Sequence, residues 1–515
     1  MDRREFLRAA GAVGGAMALG GARSTLSGAG AAGMAMAGVP PIRNVLFLVT
    51  DQHRADCLGC YGNGIVRTPN IDRLAATGVR FTNAFSPTPT CAPARACILT
   101  GLRAHRHGLY FNPEYQPRNG GRQDPEPSAR FFSEDLKEAG WNLAHNGKWH
   151  IGTERTKASS RGFEAVDFPL YGFPGELGDG SIHPHYKNYL QSLGVDGFKV
   201  AREVRSPDGL RVLAGVQEGP EAASEAGYLE WMTADTIRRF GRQGRPFFVA
   251  CDFWGPHGPF YLPERYAGMY KGRNIPAWPN FDAPLADKPG VLARYGEYWK
   301  TGWFTPKVLS GLLAWYFGYI TMIDDAVGRI VEALREAGRL DETLIVMTAD
   351  HGDSAGAYRF WDKGFGMYDC LTRVPMIASH PSLQSRVEDA FVTLVDLAPT
   401  VLDVAGIAAP RSLDGRSLLP LLRGDAGAKR DDFVVVQGFG HQLPYWQRMI
   451  RTRTAKYVLN ATDHDEYYDL ASDPWEMRNI ADSVDPSAIK EMRGRLKDWI
   501  DRNADPIAFW ADPLL

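Results

Sequence analysis

Short runs of consecutive apolar residues alternate along this chain with longer stretches of helical periodicity. Arg43-Asn44-Val45-Leu46-Phe47-Leu48-Val49-Thr50 carries no 3.6-residue period and reads as a strand buried on both faces. Phe247-Phe248-Val249-Ala250-Cys251-Asp252-Phe253 and Leu344-Ile345-Val346-Met347-Thr348 read the same way. The first run ends at Asp51-Gln52, the third at Asp350-His351, and the second leads into Gly255-Pro256-His257-Gly258-Pro259. Between them lie helical patterns. One opens at Thr68-Pro69-Asn70 and closes at Gly78, one covers Ala94–Leu99, and one covers Tyr316–Glu336. Val79–Ala84 is a further short strand. Strands alternating with helices predict an α/β fold, a large doubly wound domain with a mainly parallel sheet. In such sheets ligands gather at the carboxyl ends of strands, which is where Asp51 and Asp350 fall.

The pattern changes near Asp425–Asp431, where Gly, Ala, Lys and Asp cluster. Phe433–Gln437 and Lys456–Asn460 then read as strands and Ile489–Asp501 as a helix, predicting a smaller C-terminal α+β domain with an antiparallel sheet. The expected division is 1–41, 42–425 and 426–515. Gly152–Gly227 and Ala267–Thr305 show weak periodicity and many Gly, Pro and aromatic residues, among them Tyr270, Trp278, Trp299 and Trp303. They read as long irregular segments that line a pocket or pack on the core as surface insertions. There is no internal repeat.

Composition narrows the class. Of 515 residues 44% are hydrophobic and 23% charged, which excludes global disorder. The formal net charge of −2 argues against a nucleic-acid partner. Met1-Asp2-Arg3-Arg4-Glu5-Phe6-Leu7, followed by a mildly apolar Ala/Gly stretch, looks like a twin-arginine export signal. It predicts passage through the twin-arginine translocation machinery to a periplasmic or extracellular location, with residues up to about Pro41 outside the fold. No later apolar run is long enough for a transmembrane span. Six cysteines are too few for a disulfide scaffold, and Cys57-x-x-Cys60 has no second pair to complete a zinc site.

Cys91-Ala92-Pro93-Ala94-Arg95-Ala96-Cys97-Ile98-Leu99-Thr100-Gly101 carries the most specific signal. Taken alone, Cys91 reads as a buried structural thiol or as a nucleophile near a helix N-terminus, where backbone N–H groups favour anions. The run resembles the C-x-P-x-R…L-T-G signature of the type I, formylglycine-dependent sulfatases of the alkaline phosphatase superfamily, with Ala94 where that family often has Ser. The resemblance implies that a formylglycine-generating enzyme oxidises Cys91 to formylglycine. The hydrated aldehyde then attacks sulfur with one hydroxyl and expels sulfate with the other. It implies that Arg95 steadies metal and nucleophile as a permanently charged fork.

Further blocks follow in family order. Gly147-Lys148-Trp149-His150-Ile151-Gly152 resembles G-K-W-H-x-G, implying that Lys148 grips a sulfate oxygen and His150 orients the nucleophile or assists its release. Pro256-His257-Gly258-Pro259 resembles P-H-x-P, implying that His257 binds sulfate; it is our choice of leaving-group acid. Trp361-Asp362-Lys363 and Arg373-Val374-Pro375 resemble the downstream Lys…R-V-P block, implying a second sulfate-gripping lysine at Lys363, which is also the alternative to His257 for the acid role or a sharer of it. Tyr467-Tyr468-Asp469-Leu470…Asn479-Ile480-Ala481 resembles the C-terminal block. The implied metal ligands are Asp51, residue 91, Asp350 and His351, with Gln52 placed to offer an oxygen to the metal or a donor to the ester. Calcium is the usual family ion. A single early Asp and a His after Asp350 bring manganese or zinc into range, because nitrogen ligands suit those ions. The expected reaction is hydrolysis of a sulfate ester, carbohydrate or aryl. The alternatives are a phosphonate monoester or phosphodiester hydrolase of the same superfamily, and a non-catalytic glycan-binding protein with unmodified Cys91.

Overall fold

The computed structural model describes residues 41–115, 121–153, 155–168, 183–409 and 411–511. The expected export signal lies outside them. An eight-stranded sheet forms the centre. Its strand order is Arg386–Glu388, Val79–Phe81, Met376–Ser379, Thr343–Ala349, Asn44–Asp51, Phe247–Pro256, Asn142–Gly147 and Glu164–Ala165. Only Met376–Ser379 runs against its neighbours; the other strands are parallel.

The apolar runs fold as strands because both faces are covered. In Asn44–Asp51 the side chains of Leu46 and Leu48 enter one core, with the helices Pro69–Thr77, Glu225–Gln243 and Pro306–Glu336. Val45, Phe47 and Val49 enter the other, with Cys91–Thr100, Phe132–Glu138 and Leu397–Val404. Alternate side chains of a strand point to opposite faces, so no position in this strand is free to be polar until its end. Each fully buried aliphatic or Phe side chain contributes about 1.5–3 kcal/mol.

Beyond Asp431 the chain makes a four-stranded antiparallel sheet in sequence order: Val434–Gly440, Pro444–Arg451, Ala455–Asn460 and Glu466–Asp469. Helix Pro486–Arg502 covers one face, on Val435, Ile450, Tyr457, Leu459 and Tyr467. The other face, with Val434, Val436, Met449 and Val458, packs on Phe85, Met367 and Phe391. The fold class is the one expected.

Two readings need correction. Of the segments expected to be irregular, 152–227 contains the helix Pro184–Ser192 and the antiparallel pair Val200–Arg205 and Val212–Gln217, which Phe260–Pro263 extends in parallel. Residues 267–305 contain the helix Gly290–Trp299. The hairpin strands are half-buried and interrupted at Arg202 (φ +50°), so their alternation is weak in sequence. The expected strand Val79–Ala84 is two pieces, Val79–Phe81 and Ala84–Phe85, in different sheets. The polar strand Asn142–Gly147 and the helix Glu225–Gln243 carried no reading at all.

Helix Pro69–Thr77 begins with Pro at its first position, as expected, but its cap is tertiary. The carboxylate of Asp324, buried on the long helix Pro306–Glu336, accepts N–H bonds from Asn70 (3.1 Å) and Ile71 (2.8 Å) and a bond from the Asn70 amide (2.9 Å). Asp324→Ala should therefore cost about 2 kcal/mol, the penalty for buried donors left unpaired. Asp324→Asn should recover part of that loss. Denaturant unfolding of the three proteins checks it; equal midpoints would show that the cap carries no stability.

Candidate active site

Three neighbouring parallel strands bring their carboxyl ends together. Asp51 ends Asn44–Asp51, Asp350 follows Thr343–Ala349, and Asp252 lies near the end of Phe247–Pro256. The register pairs Thr50 with Ala349 and Val49 with Asp252, so the three carboxylates meet by backbone geometry alone. Facing them is the helix Cys91–Thr100, all ten residues of which are buried. The helix starts three residues before the expected Ala94, so Cys91, expected near its N-terminus, is its first residue. Its Sγ lies 3.1 Å from His351 Nε2 and 3.7 Å from Asp51 Oδ1. The amide N–H of Ala92 donates to Asn112 Oδ1 (3.0 Å), pinning the start of the helix.

One turn on, Arg95 sends its guanidinium to all three strand ends. Nε donates to Asp350 Oδ2 (3.0 Å), Nη2 to Asp51 Oδ2 (2.9 Å), and Nη1 to Asp252 Oδ1 (2.9 Å) and the Lys148 carbonyl (2.7 Å). Lys148 Nζ reaches Asp51 Oδ2 (2.8 Å), and His145 Nε2 reaches Asp252 Oδ2 (3.2 Å). Burial works to raise the Asp51 pKa, but Lys148 and Arg95 outweigh it and hold the carboxyl well below its ordinary range. Asp350 is pushed up, first by burial and then by repulsion from Asp51.

One ligand atom each from Asp51, Cys91, Asp350 and His351 lies within 4.8 Å of the others. His351 Nδ1 donates to the Gly352 carbonyl (2.7 Å), which turns Nε2 toward Cys91. Three carboxylates here face two fixed cations, Arg95 and Lys148. The uncompensated negative charge and the O, O, N donor set fit a divalent cation. The four residues expected as ligands are thus the four that converge.

A second network lies alongside. Gln52 holds φ +59°, and its N–H donates to Asp350 Oδ1 (3.0 Å). Its Nε2 donates to Asp353 Oδ2 (2.8 Å), while its Oε1 accepts from Lys363 Nζ (2.7 Å). Both ends of the amide are therefore engaged, one by Asp353 and one by Lys363. Lys363 Nζ also lies 2.7 Å from His257 Nε2, and His257 Nδ1 lies 2.6 Å from the Gly258 carbonyl. Burial and the ammonium groups of Lys363 and Lys148 hold the His257 pKa well below its ordinary value. Lys363 is raised well above its own, since Asp362, Cys91 and Asp51 outweigh burial. The shared proton therefore sits on Lys363, and the neutral His257 accepts it. His150 (φ +54°) pairs with Glu114 at 3.2 Å, which overrides burial and raises its pKa.

Lys148, His150, His257 and Lys363 line one cavity of about 270 Å³, joined by Asn112, Glu114 and, from the C-terminal sheet, His441. A larger cavity of about 880 Å³, between Arg202–Val216, Glu264–Ala277 and Pro306–Trp315, contains none of these groups, so size does not locate the site. Gly147 explains the glycine before Lys148: φ is +109°, and a Cβ there would stand 2.0 Å from the Asp252 carbonyl oxygen. That carbonyl accepts the Lys148 N–H at 2.8 Å.

Asp252, Asp353, Glu114 and His441 escaped the sequence reading. Asp252 was open to the same strand-end logic as Asp51. Glu114 and His441 sit on a loop and a hairpin with no pattern around them, and only folding brings them to the cavity.

The chain matches the family model described as Sulfatase over residues 43–407, and that described as N-sulphoglucosamine sulphohydrolase, C-terminal, over residues 356–503. It is 30% identical over 478 residues to the uncharacterized sulfatase YidJ of Escherichia coli, covering 90% of this chain and 88% of that one. It is 28% identical to an arylsulfatase of Clostridium perfringens, covering 89% of this chain and 96% of the relative. The solved phosphonate monoester hydrolase SpPMH of Silicibacter pomeroyi superposes with a TM-score of 0.73 at 25% identity, over 90% of this chain and 96% of that one.

Arg95 is the testable centre of this geometry. Arg95→Met should strand three buried carboxylates and destabilise the fold by about 3–5 kcal/mol at neutral pH. Without the guanidinium the folded-state carboxyl pKa values rise above their unfolded values. The variant therefore keeps more of its stability at low pH and loses it as pH rises, whereas Asp51 in the parent is stabilising above its unfolded pKa. Unfolding in the presence of a chelator should show a larger deficit at pH 7 than at pH 5. A deficit independent of pH would mean that Arg95 acts by packing alone.

Proposed function

This chain belongs to the sulfatase family of the alkaline phosphatase superfamily and is a sulfatase enzyme, and we propose that it releases inorganic sulfate from a sulfate ester through a formylglycine made from Cys91. The observation that supports this most directly is the placement of Cys91. It is a buried first residue of a helix, against His351 and Asp51 and one turn from an arginine that binds three carboxylates.

Asp51, Asp350, His351 and residue 91 would hold a divalent cation, calcium by family habit, with manganese or zinc favoured by the imidazole. When bound, the cation supplies charge stabilisation for the developing oxygen anion and acidity for the nucleophile. The hydrated aldehyde at residue 91 supplies two hydroxyls on one carbon, one to attack and one to collapse. The other residues bind and orient. Arg95 keeps Asp51, Asp252 and Asp350 in place as counter-charges. Lys148 and Lys363 lie on the cavity wall as cations for the sulfate oxygens. His150, oriented by Glu114, stands beside the nucleophile and assists its release. The leaving-group proton belongs to the His257–Lys363 pair, with Lys363 as the resting carrier and His257 as the acceptor through which it is relayed.

The formylglycine-generating enzyme and the twin-arginine machinery are the partners this reading requires, and export follows from Arg3-Arg4 in the signal. Among the described residues no helix is long and apolar enough to cross a membrane. A non-catalytic glycan-binding role fits poorly, because burying this many charged groups carries a desolvation cost without return. A second reading, phosphonate monoester or phosphodiester hydrolysis, is favoured by the single Asp51-Gln52, by Asp350-His351 and by the likeness to SpPMH. Rates on an aryl sulfate and on an aryl phosphonate monoester separate the two.

Mass measurement of the peptide carrying Cys91 should show the aldehyde in place of the thiol, and Cys91→Ala should abolish sulfate release while folding normally. Near-parental turnover by that variant would remove the mechanism. Asp51→Asn and Asp350→Asn should each lower metal content by elemental analysis, and full occupancy in both would refute the ligand set. If His257 and Lys363 act as one relay, each alanine variant should lose about 10²–10⁴-fold more on alkyl than on activated aryl sulfates. The double variant should be no worse than either single one. Sensitivity confined to one of the two would assign the acid to that residue alone.

A further inference from the structure

A second cavity of about 460 Å³ opens beside the catalytic one and shares His257 and Trp299 with it. Its far walls come from segments outside every family-like block: the hairpin around Arg211 and the stretch Trp299–Phe304. Trp303 and Phe304 stack at 4.3 Å between ring centroids. Phe304 lies parallel to Trp361 (4°, 6.3 Å), and Phe260 meets Trp361 edge-on at 5.9 Å. Flat rings thus make up much of the lining, beside polar side chains at Gln52, Ser206, Tyr261, Thr301 and Asp362.

Besides the Asp362 carboxylate on the wall shared with the catalytic cavity, one charge interrupts the lining, at Arg211. The Arg211 guanidinium stacks over Trp299 at 4.1 Å. It donates to the carbonyls of Trp299 (3.2 Å) and Tyr298 (3.3 Å) and makes no ion pair among the described residues. The Trp299 indole N–H, on the divide between the cavities, finds no acceptor there either. A cation on a ring face without a carboxylate partner is a ready contact for an anion.

We infer that this cavity is the subsite for the body of the ester, and that it selects an aromatic ester whose ring system carries an acidic group at the end away from the sulfate. The inference rests on the sulfate-ester reading above. The shared wall requires that an ester bound with its sulfate at Lys148 and Lys363 extend its remaining part past His257 and Trp299. An aromatic body is covered there by ring faces, and its distal acid meets Arg211.

Binding without turnover tests the subsite independently of the chemistry. Quenching of tryptophan fluorescence by 6-hydroxy-2-naphthoate should show about tenfold tighter binding than by 2-naphthol, the effect of one charged contact worth about 1.4 kcal/mol. Arg211→Gln should erase that difference and Arg211→Lys should keep most of it. Trp303→Ala should weaken both ligands. In turnover, kcat/KM for the sulfate ester of 6-hydroxy-2-naphthoate should exceed that for glucose 6-sulfate, and Trp303→Ala should narrow the gap. Equal binding of the two naphthols, indifference to Arg211→Gln, or preference for the sugar sulfate would overturn the proposal. Arg211-dependent binding with no hydrolysis of any sulfate would uphold the subsite and reject the sulfate-ester reading instead.

Discussion

The fork of Arg95 is the interaction on which the catalytic end of this molecule depends. A guanidinium buried to 2% exposure is tolerable only with its charge answered, and here carboxylates from three different strands answer it. Each carboxylate in turn is tolerable at a buried strand end because Arg95 is there. Strand register, helix position and charge pattern are thereby locked to one another. Cys91 lies one helical turn away, so the same contact that neutralises the strand ends fixes where its side chain points.

The charge arrangement also separates two tasks. On the side of Asp51, Asp350 and His351, negative charge exceeds the two fixed cations, which suits a metal. On the side of Lys148 and Lys363, cations line a small cavity, which suits an anionic substrate. Gln52 connects the two, with its backbone N–H on Asp350 and its side-chain oxygen on Lys363. A neutral amide at this point couples them without adding charge to either. Its left-handed backbone (φ +59°) is strain stored at a functional turn.

The inserted segments add a further level. The hairpin Val200–Gln217 and the stretch Gly290–Phe304 lie outside the motif-bearing blocks, yet they line the cavity that adjoins the charged one. The charged groups around Arg95 and the aromatic lining therefore come from different parts of the chain.

The sequence by itself determined the parts that depend on local pattern. Continuous apolar runs required strands buried on both faces, and these dictated a doubly wound sheet with Asp51 and Asp350 at its carboxyl ends. The motif around Cys91 and the blocks at Lys148, His257 and Lys363 marked side chains that fold into one region. Tertiary structure alone decided what depends on approach between distant segments. It made Asp252 the third partner of Arg95 and gave the cap of Pro69–Thr77 to Asp324. It brought Lys363 Nζ to 2.7 Å from His257 Nε2, and it turned apparently shapeless aromatic stretches into a cavity wall. The reason is physical: periodicity records which face of an element is buried, whereas hydrogen-bond partners, pKa values and cavities depend on residues hundreds of positions apart meeting within a few ångströms.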